Sequence, residues 1–504
     1  MGQYLLGIDI GTSACKAALF SSDGNVIANA LCEYPVYYPK QGFVEQDPND
    51  WWKGTCSSLR DISEAMKERG ISPEEIAGIG IDGQGWAAVA VDGKGNVLCN
   101  NPIWLDTRAA DICKEINIKI GSEKLFELCG NPLSPTYTTA KILWYEKNLP
   151  DVFAKTEKIL QSNSFIAMKL AGTVSQDICQ SYGYHCFDMR KGVWDFDMCE
   201  ALGIPKKFLP KIYACHEIVG TLSKEAARET GLIPGIPVAA GGLDAACGSL
   251  GAGVLRAGDT QEQGGQAGGM SICTDEYLCD ERLILSFHVV PGRWLLQGGS
   301  TGGGGVMRWL ERELGSPLTK NDRLPEKKVL EIFNEMAAKV PAGSDGVVFL
   351  PYMAGERSPI WNPNAKGVYY GLDFNKTKGH FIRAGMEGVA FSLRHNLEVA
   401  QHAGASVNEL RAMGGSANSL LWTQIKSDVT GKPVVVPASD TATTLGAAIL
   451  AGVGVGVYSS FEEAVDKIVV IKRKHEPNAA LKSIYDKNYE VYRKLYEKLE
   501  ELFV

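Results

Sequence analysis

The chain has 504 residues, 45% hydrophobic and 22% charged, a balance that excludes a disordered polypeptide and a length that exceeds one ordinary core. Its formal net charge of -8 argues against a surface built mainly for nucleic acid or anionic membrane. Thirteen cysteines, odd in number and scattered from Cys15 to Cys279 without a CxxC pair, predict reduced thiols in a cytoplasm rather than a disulfide framework. The seven histidines lack HExxH-like spacing, which gives no support for a built-in zinc site. The opening Met1-Gly2-Gln3-Tyr4 shows no basic-apolar leader, and no apolar run approaches the roughly 20 residues of a spanning helix.

In chain order, Tyr4-Leu-Leu-Gly-Ile-Asp-Ile10 reads as a buried strand ending in the turn Gly11-Thr12-Ser13. Residues 16–20 read as its hairpin partner, and residues 26–28 begin a third strand, so the chain opens as an antiparallel meander. Residues 76–91 look like strand material, whereas residues 140–148 and 152–170 look helical, which together imply a layered α/β domain. Another apolar strand, residues 236–244, meets a glycine loop, followed by a small-residue helix over 245–253. The domain boundary is placed there, giving units 1–250 and 251–504. The second half repeats the theme with a glycine turn over 264–269, strands and helices. Residues 480–502 carry Tyr485, Tyr489, Tyr492 and Tyr496 at helical spacing, the pattern of a packing face.

Three places offer chemistry. Asp9 before Gly11, Thr12 and Ser13 puts a carboxylate beside backbone and hydroxyl donors, fit to orient hydrated Mg²⁺ near phosphate, although the same residues also make plain hairpin turns. Asp244, after Gly241-Gly242-Leu243, is a candidate base for a hydroxyl attacking a γ-phosphate; a helix N-cap is the other reading. The run Gly414, Gly415, Ser416, Ala417, Asn418 joins a strand to a helix and either admits a nucleotide or simply turns the chain. Gly265 and Gln266 in the second glycine turn add donors. No run fits GxxxxGK[ST], and no clean GxGxxG follows the first strand, so P-loop and dinucleotide readings fail.

The order of these pieces resembles the FGGY carbohydrate kinase family along nearly the whole chain. Gly7-Ile-Asp-Ile-Gly-Thr-Ser13 is similar to its first phosphate loop, and Gly42-Phe-Val-Glu-Gln-Asp-Pro48 with Trp51-Trp52 to its early signature. Also similar are Trp104-Leu-Asp106-Thr-Arg108, Lys141-Ile-Leu-Trp144, Phe349-Leu-Pro-Tyr352, Gly355-Glu-Arg-Ser-Pro359 and Glu387-Gly-Val-Ala-Phe-Ser-Leu393. The resemblance implies an α/β fold of two actin-like, ribonuclease-H-like domains, with ATP and sugar meeting in the interdomain cleft. It implies Asp244 as catalytic base, Asp9 as the metal-orienting carboxylate and residues 414–418 as the adenosine loop.

The chain departs from the pattern at Gly83-Gln84-Gly85-Trp86, where xylulose kinases commonly carry Gly-Gln-Met-His-Gly, and at Gln266-Ala267, where Thr-Ser is more usual. Trp86 is either a core aromatic or a wall for sugar carbons, and Asp82 and Gln84 are candidate partners for sugar hydroxyls. The expected function is ATP- and Mg²⁺-dependent phosphorylation of a ketopentose such as D-xylulose. L-xylulose, ribulose, gluconate or a polyol are alternatives, and a non-catalytic actin-like ATP-binding protein is the reading from another class. Homodimers are common enough to make one the default expectation.

Overall fold

The computed structural model describes residues 3–315, 326–439 and 441–503. The opening meander forms as expected: Tyr4–Ile10 pairs antiparallel with Ala14–Ser21, which pairs with Val26–Glu33. Ile76–Gly83 then lies parallel to the first strand, with Asp82 in register beside Asp9. Pro237–Ala239 and Gly242–Leu243 extend the same parallel edge, and Ile218–Thr221 closes it antiparallel, giving a seven-stranded sheet among the described residues. Pro48–Glu68 covers the meander, its start capped by Asp47, whose carboxylate accepts from the Asn49 amide, and Trp51, Leu59 and Ile62 are buried against the sheet.

The second half repeats this plan. Asp259–Gly264 and Gly268–Thr274 form a hairpin whose first strand lies parallel to Glu409–Met413, followed by parallel Val434–Pro437 and antiparallel Ile471–His475. Trp294–Ser300 and Ile284–Phe287 complete a second seven-stranded sheet on the hairpin side. Both hairpins turn through three residues, 11–13 in one and 265–267 in the other. The repeat read from the sequence is therefore a repeat of topology.

Two predicted elements differ. The helix expected over 152–170 is broken: Pro150–Lys155 and Ser162–Ala171 are helical, but Lys158–Leu160 is a strand paired with Val89–Val91. That pairing is a tertiary contact, which local periodicity does not report. The strand material of 76–91 is likewise interrupted by a loop at 84–88. The C-terminal helix, Lys482–Leu499, buries Tyr485, Tyr489 and Tyr492 against Phe391. Its tyrosines form the packing face that the spacing predicts. Among the described residues no helix is long and apolar enough to cross a membrane.

The halves are joined by the helix Ala442–Gly454, which lies in sequence between two strands of the second sheet, Val434–Pro437 and Ile471–His475, yet packs on the first sheet and on Asp244–Gly251. Backbone meets backbone there, since a Cβ on Gly80 would stand 1.8 Å from the Ala447 carbonyl oxygen and one on Gly446 1.9 Å from that of Cys247. Gly80→Ala is therefore expected to destabilise the protein by about 1–3 kcal/mol, the usual cost of overpacking. A lowered urea midpoint reads this out; an unchanged midpoint would mean that the helix can stand off without penalty.

Candidate active site

The first sheet ends in acid. Asp9, Asp82 and Asp244 lie at the carboxyl ends of neighbouring parallel strands, where ligands of open α/β sheets bind. Asp9 is buried; one of its oxygens, Oδ2, accepts from Lys16 Nζ at 3.1 Å and from Thr443 Oγ1 at 3.1 Å, while Oδ1 has no partner. Asp82 is fully buried with neither oxygen partnered, and burial, then the neighbouring Asp9 and Asp244, hold its carboxyl well above the usual carboxylate range. Asp244 is the first residue of its helix rather than the N-cap, which is Leu243, and its Oδ1 accepts from the Ala245 amide at 2.6 Å. Burial, then the Asp9 charge, push the Asp244 carboxyl up to about 7.

Between the halves lies a cavity of about 350 Å³. The first half contributes Thr12, Trp86, Trp104, Tyr182 and Asp244; the second contributes Gln263, Gln297, Arg357, Thr443 and the turn 265–269. Thr12, Trp86, Asp244, Gly265 and Gln266, all singled out from the sequence, are thus brought together. Gly11 and Ser13 flank Thr12 in the first turn, and the Gly11 amide bonds to Ala14 O at 3.1 Å. Trp86 stands edge-on to Tyr137 and Tyr182, with ring centroids 4.7 and 6.0 Å away.

Asp82 and Gln84 are not among the lining residues. The Gln84 amide nitrogen bonds to Gln46 Oε1 at 2.8 Å and to the Gly11 carbonyl at 3.4 Å, while Gln46 in turn donates to the Thr12 carbonyl at 2.8 Å. These two glutamines brace the first turn from below. The loop Gly414–Asn418 also stands outside the cavity lining, packed on the second turn: a Cβ on Gly414 would lie 2.9 Å from the Gly264 carbonyl. Ser416 is buried there and accepts from Lys426 Nζ at 2.8 Å, whereas Gly414, Gly415 and Asn418 are exposed. At Gly415 an added side chain would meet nothing within 4 Å, and at Gly265 nothing nearer than 3.8 Å, so bare backbone faces open space at both loops.

Several site residues carry no signal that sequence reasoning used. Thr443 reaches Asp9 across 434 positions of chain. Trp104 donates to Thr12 Oγ1 at 2.9 Å and lies 5.6 Å below the Arg357 guanidinium, a contact between the two halves. Both sit in motifs quoted for the resemblance, which was the available signal. Among the described residues Arg357 forms no ion pair, and no group of three or more His, Cys, Asp or Glu is arranged to hold a metal unaided.

A cleft between two duplicated α/β sheets, with carboxylates on one wall and open glycine turns on the other, is suited to phosphoryl transfer onto a small polar molecule. The N-terminal domain model of the FGGY family of carbohydrate kinases matches residues 4–251, and the C-terminal domain model matches residues 280–455. The chain belongs to the FGGY family of carbohydrate kinases. Its fold is that family's pair of actin-like, ribonuclease-H-like domains, and its activity is ATP-dependent phosphorylation of a carbohydrate rather than passive nucleotide binding.

Xylulose kinase of Bacillus subtilis (strain 168) is 29% identical over 502 residues, covering 99% of this chain and 98% of that protein. Gluconokinase of the same organism is 29% identical over 470 residues, covering 93% and 91%. The crystal structure of xylulose kinase from Rhodospirillum rubrum matches with a TM-score of 0.90 at 30% identity, covering 99% of both chains.

Proposed function

We propose that this kinase phosphorylates a ketopentose, D-xylulose foremost, with Asp244 as the general base. The observation that carries the reading is the place of Asp244 on the cavity wall opposite the open glycine turns, where burial holds its carboxyl up near 7; the ketopentose is supported by the full-length likeness to xylulose kinases. A base with that affinity takes a proton from a sugar hydroxyl as its oxygen attacks the γ-phosphorus of ATP, and the bond from that phosphorus to the ADP oxygen breaks. Asp82 and Gln84 sit one layer behind the cavity. Their part in sugar binding is indirect: Gln84 braces the first turn, and Asp82 stands beside Asp9.

Mg²⁺ fits the residues present, because Asp9 Oδ1 is a buried carboxylate oxygen without a partner and the ion is commonly held by one or two carboxylates plus phosphates and waters. When bound, it neutralises charge on the transferring phosphates. Thr12 and Ser13 supply amides and hydroxyls on one side of the phosphates, in a turn that Gly11 shapes with its own amide bonded to Ala14 O, Gly265 and Gln266 supply amides on the other, and Gly414, Gly415, Ser416 and Asn418 the adenosine edge. The units 1–250 and 251–504 then divide the work between sugar and ATP. A cytoplasmic location is supported by thirteen cysteines that are all free.

Gluconate is the second reading, favoured by Arg357, a cavity guanidinium that an acidic sugar would neutralise. ADP release measured with D-xylulose, L-xylulose, ribulose, gluconate and glycerol separates the two. Turnover highest with D-xylulose is the expected result; preference for gluconate overturns the ketopentose assignment, and no sugar-dependent release with any of them overturns both.

A further inference from the structure

The loop 84–88 carries Gly85 and Trp86 to the cavity between the strands Ile76–Gly83 and Val89–Val91. Side chains satisfy its carbonyls. Ser162 Oγ donates to Gln84 O at 2.8 Å, Lys141 Nζ to Trp86 O at 2.6 Å, Thr138 Oγ1 to Ala87 O at 3.0 Å and Tyr145 OH to Ala88 O at 3.1 Å. Thr138, Lys141 and Tyr145 share one face of the helix Thr138–Asn148, so one helix lays three donors along three consecutive carbonyls.

Lys141 is the costly member of this row. It is fully buried, forms no ion pair among the described residues, and burial pushes its ammonium down to about 7. A methionine would fill the same space without desolvating a charge. What the ammonium adds is a short, charge-assisted bond to one carbonyl. That carbonyl belongs to Trp86, whose φ of 60° is sparsely populated by residues other than glycine and needs outside support.

We propose that Lys141 is the positioning residue for Trp86, its bond to the Trp86 carbonyl holding the left-handed backbone that turns the indole into the cavity as the sugar wall. The inference rests on reading Trp86 as that wall. Lys141 is fully buried and does not line the cavity, so its removal is expected to act on sugar recognition through Trp86.

The test is a double-mutant cycle of Lys141→Met and Trp86→Gly, followed by the KM for sugar and the KM for ATP. Lys141→Met is expected to raise the sugar KM about tenfold, the size of a lost hydrogen bond to a charged group, with the ATP KM within about twofold. In the Trp86→Gly background the same change is expected to move the sugar KM less than about twofold, because the residue it positions is gone. Additive effects in the double variant, or equal changes in both KM values, overturn the positioning role while leaving the wall intact. A Trp86→Gly enzyme with an unaltered sugar KM overturns the wall reading itself. Should Lys141→Met fail to fold, Lys141→Gln, one atom too short to reach the carbonyl, enters the cycle with the same outcomes.

Discussion

Replacing Asp244 by Asn is expected to lower sugar-dependent turnover by about a hundredfold or more, the usual share of a general base, while ATP still binds. The substitution keeps the shape of the side chain and an oxygen to accept the Ala245 amide, so the start of the helix Asp244–Gly251 persists. It removes only the group that can take the proton. It also removes one of the charges crowded beside Asp9, so the melting temperature should hold or rise. The native enzyme supplies a companion measurement. Since the base works only when deprotonated, kcat/KM should fall about tenfold per pH unit below about 7 and level off above it. Near-native turnover in the Asn variant, or a native profile flat down to pH 5, would remove Asp244 from this role.

Much of this site is local in sequence and was legible for that reason. Asp9 with its turn, Gly265 with Gln266, and Gly241 to Asp244 are each a strand running into small residues, and a few neighbours suffice to set their geometry. At Gly241 the reason is visible, since its φ of +81° and a Cβ position 2.0 Å from the Ile81 carbonyl oxygen leave room for glycine alone. The illegible parts depend on distant chain. Gln84 has the chemistry of a sugar contact, but its amide is engaged by Gln46, 38 positions away, and by the underside of the first turn. The strand Lys158–Leu160 exists because Val89–Val91 runs beside it, a partner that no window over 152–170 contains.

The duplication shows why the two halves do different work. Counting back from the two turns, Asp9 corresponds to Gln263, and their cross-strand partners are Lys16 in the first hairpin and Gly269 in the second. Across the parallel pairs, Asp82 beside Asp9 corresponds to Met413 beside Gln263. The first half thus gathers carboxylates at its strand ends, and the second places neutral groups at the same points. A wall without carboxylates does not repel polyphosphate, whereas a wall with them can accept protons and hold a cation. The topological repeat could be suspected from glycine turns; the division of charge follows only once register is known.

Asp9→Asn is expected to cut turnover by about a hundredfold at fixed magnesium while leaving the sugar KM within about threefold, because the change touches the cation-orienting carboxylate and not the sugar wall. Native Asp9 uses one oxygen on Lys16 and Thr443 and leaves the other bare. An amide can still accept from Thr443 but offers little to a divalent ion, so the magnesium concentration needed for half-maximal rate should rise. A second consequence separates this variant from a merely damaged enzyme. The Asp9 charge is, after burial, the main influence holding the Asp244 carboxyl near 7, and a neutral Asn withdraws it. The Asp244 carboxyl then ionises more readily, so the acid limb of kcat/KM should move to lower pH even as the maximum falls. Misfolding or loss of ATP binding would lower the curve without displacing it. Magnesium titrations and pH profiles on one preparation read both effects, and an unchanged half-saturation with an unmoved acid limb would strip Asp9 of the metal role and of its hold on the base.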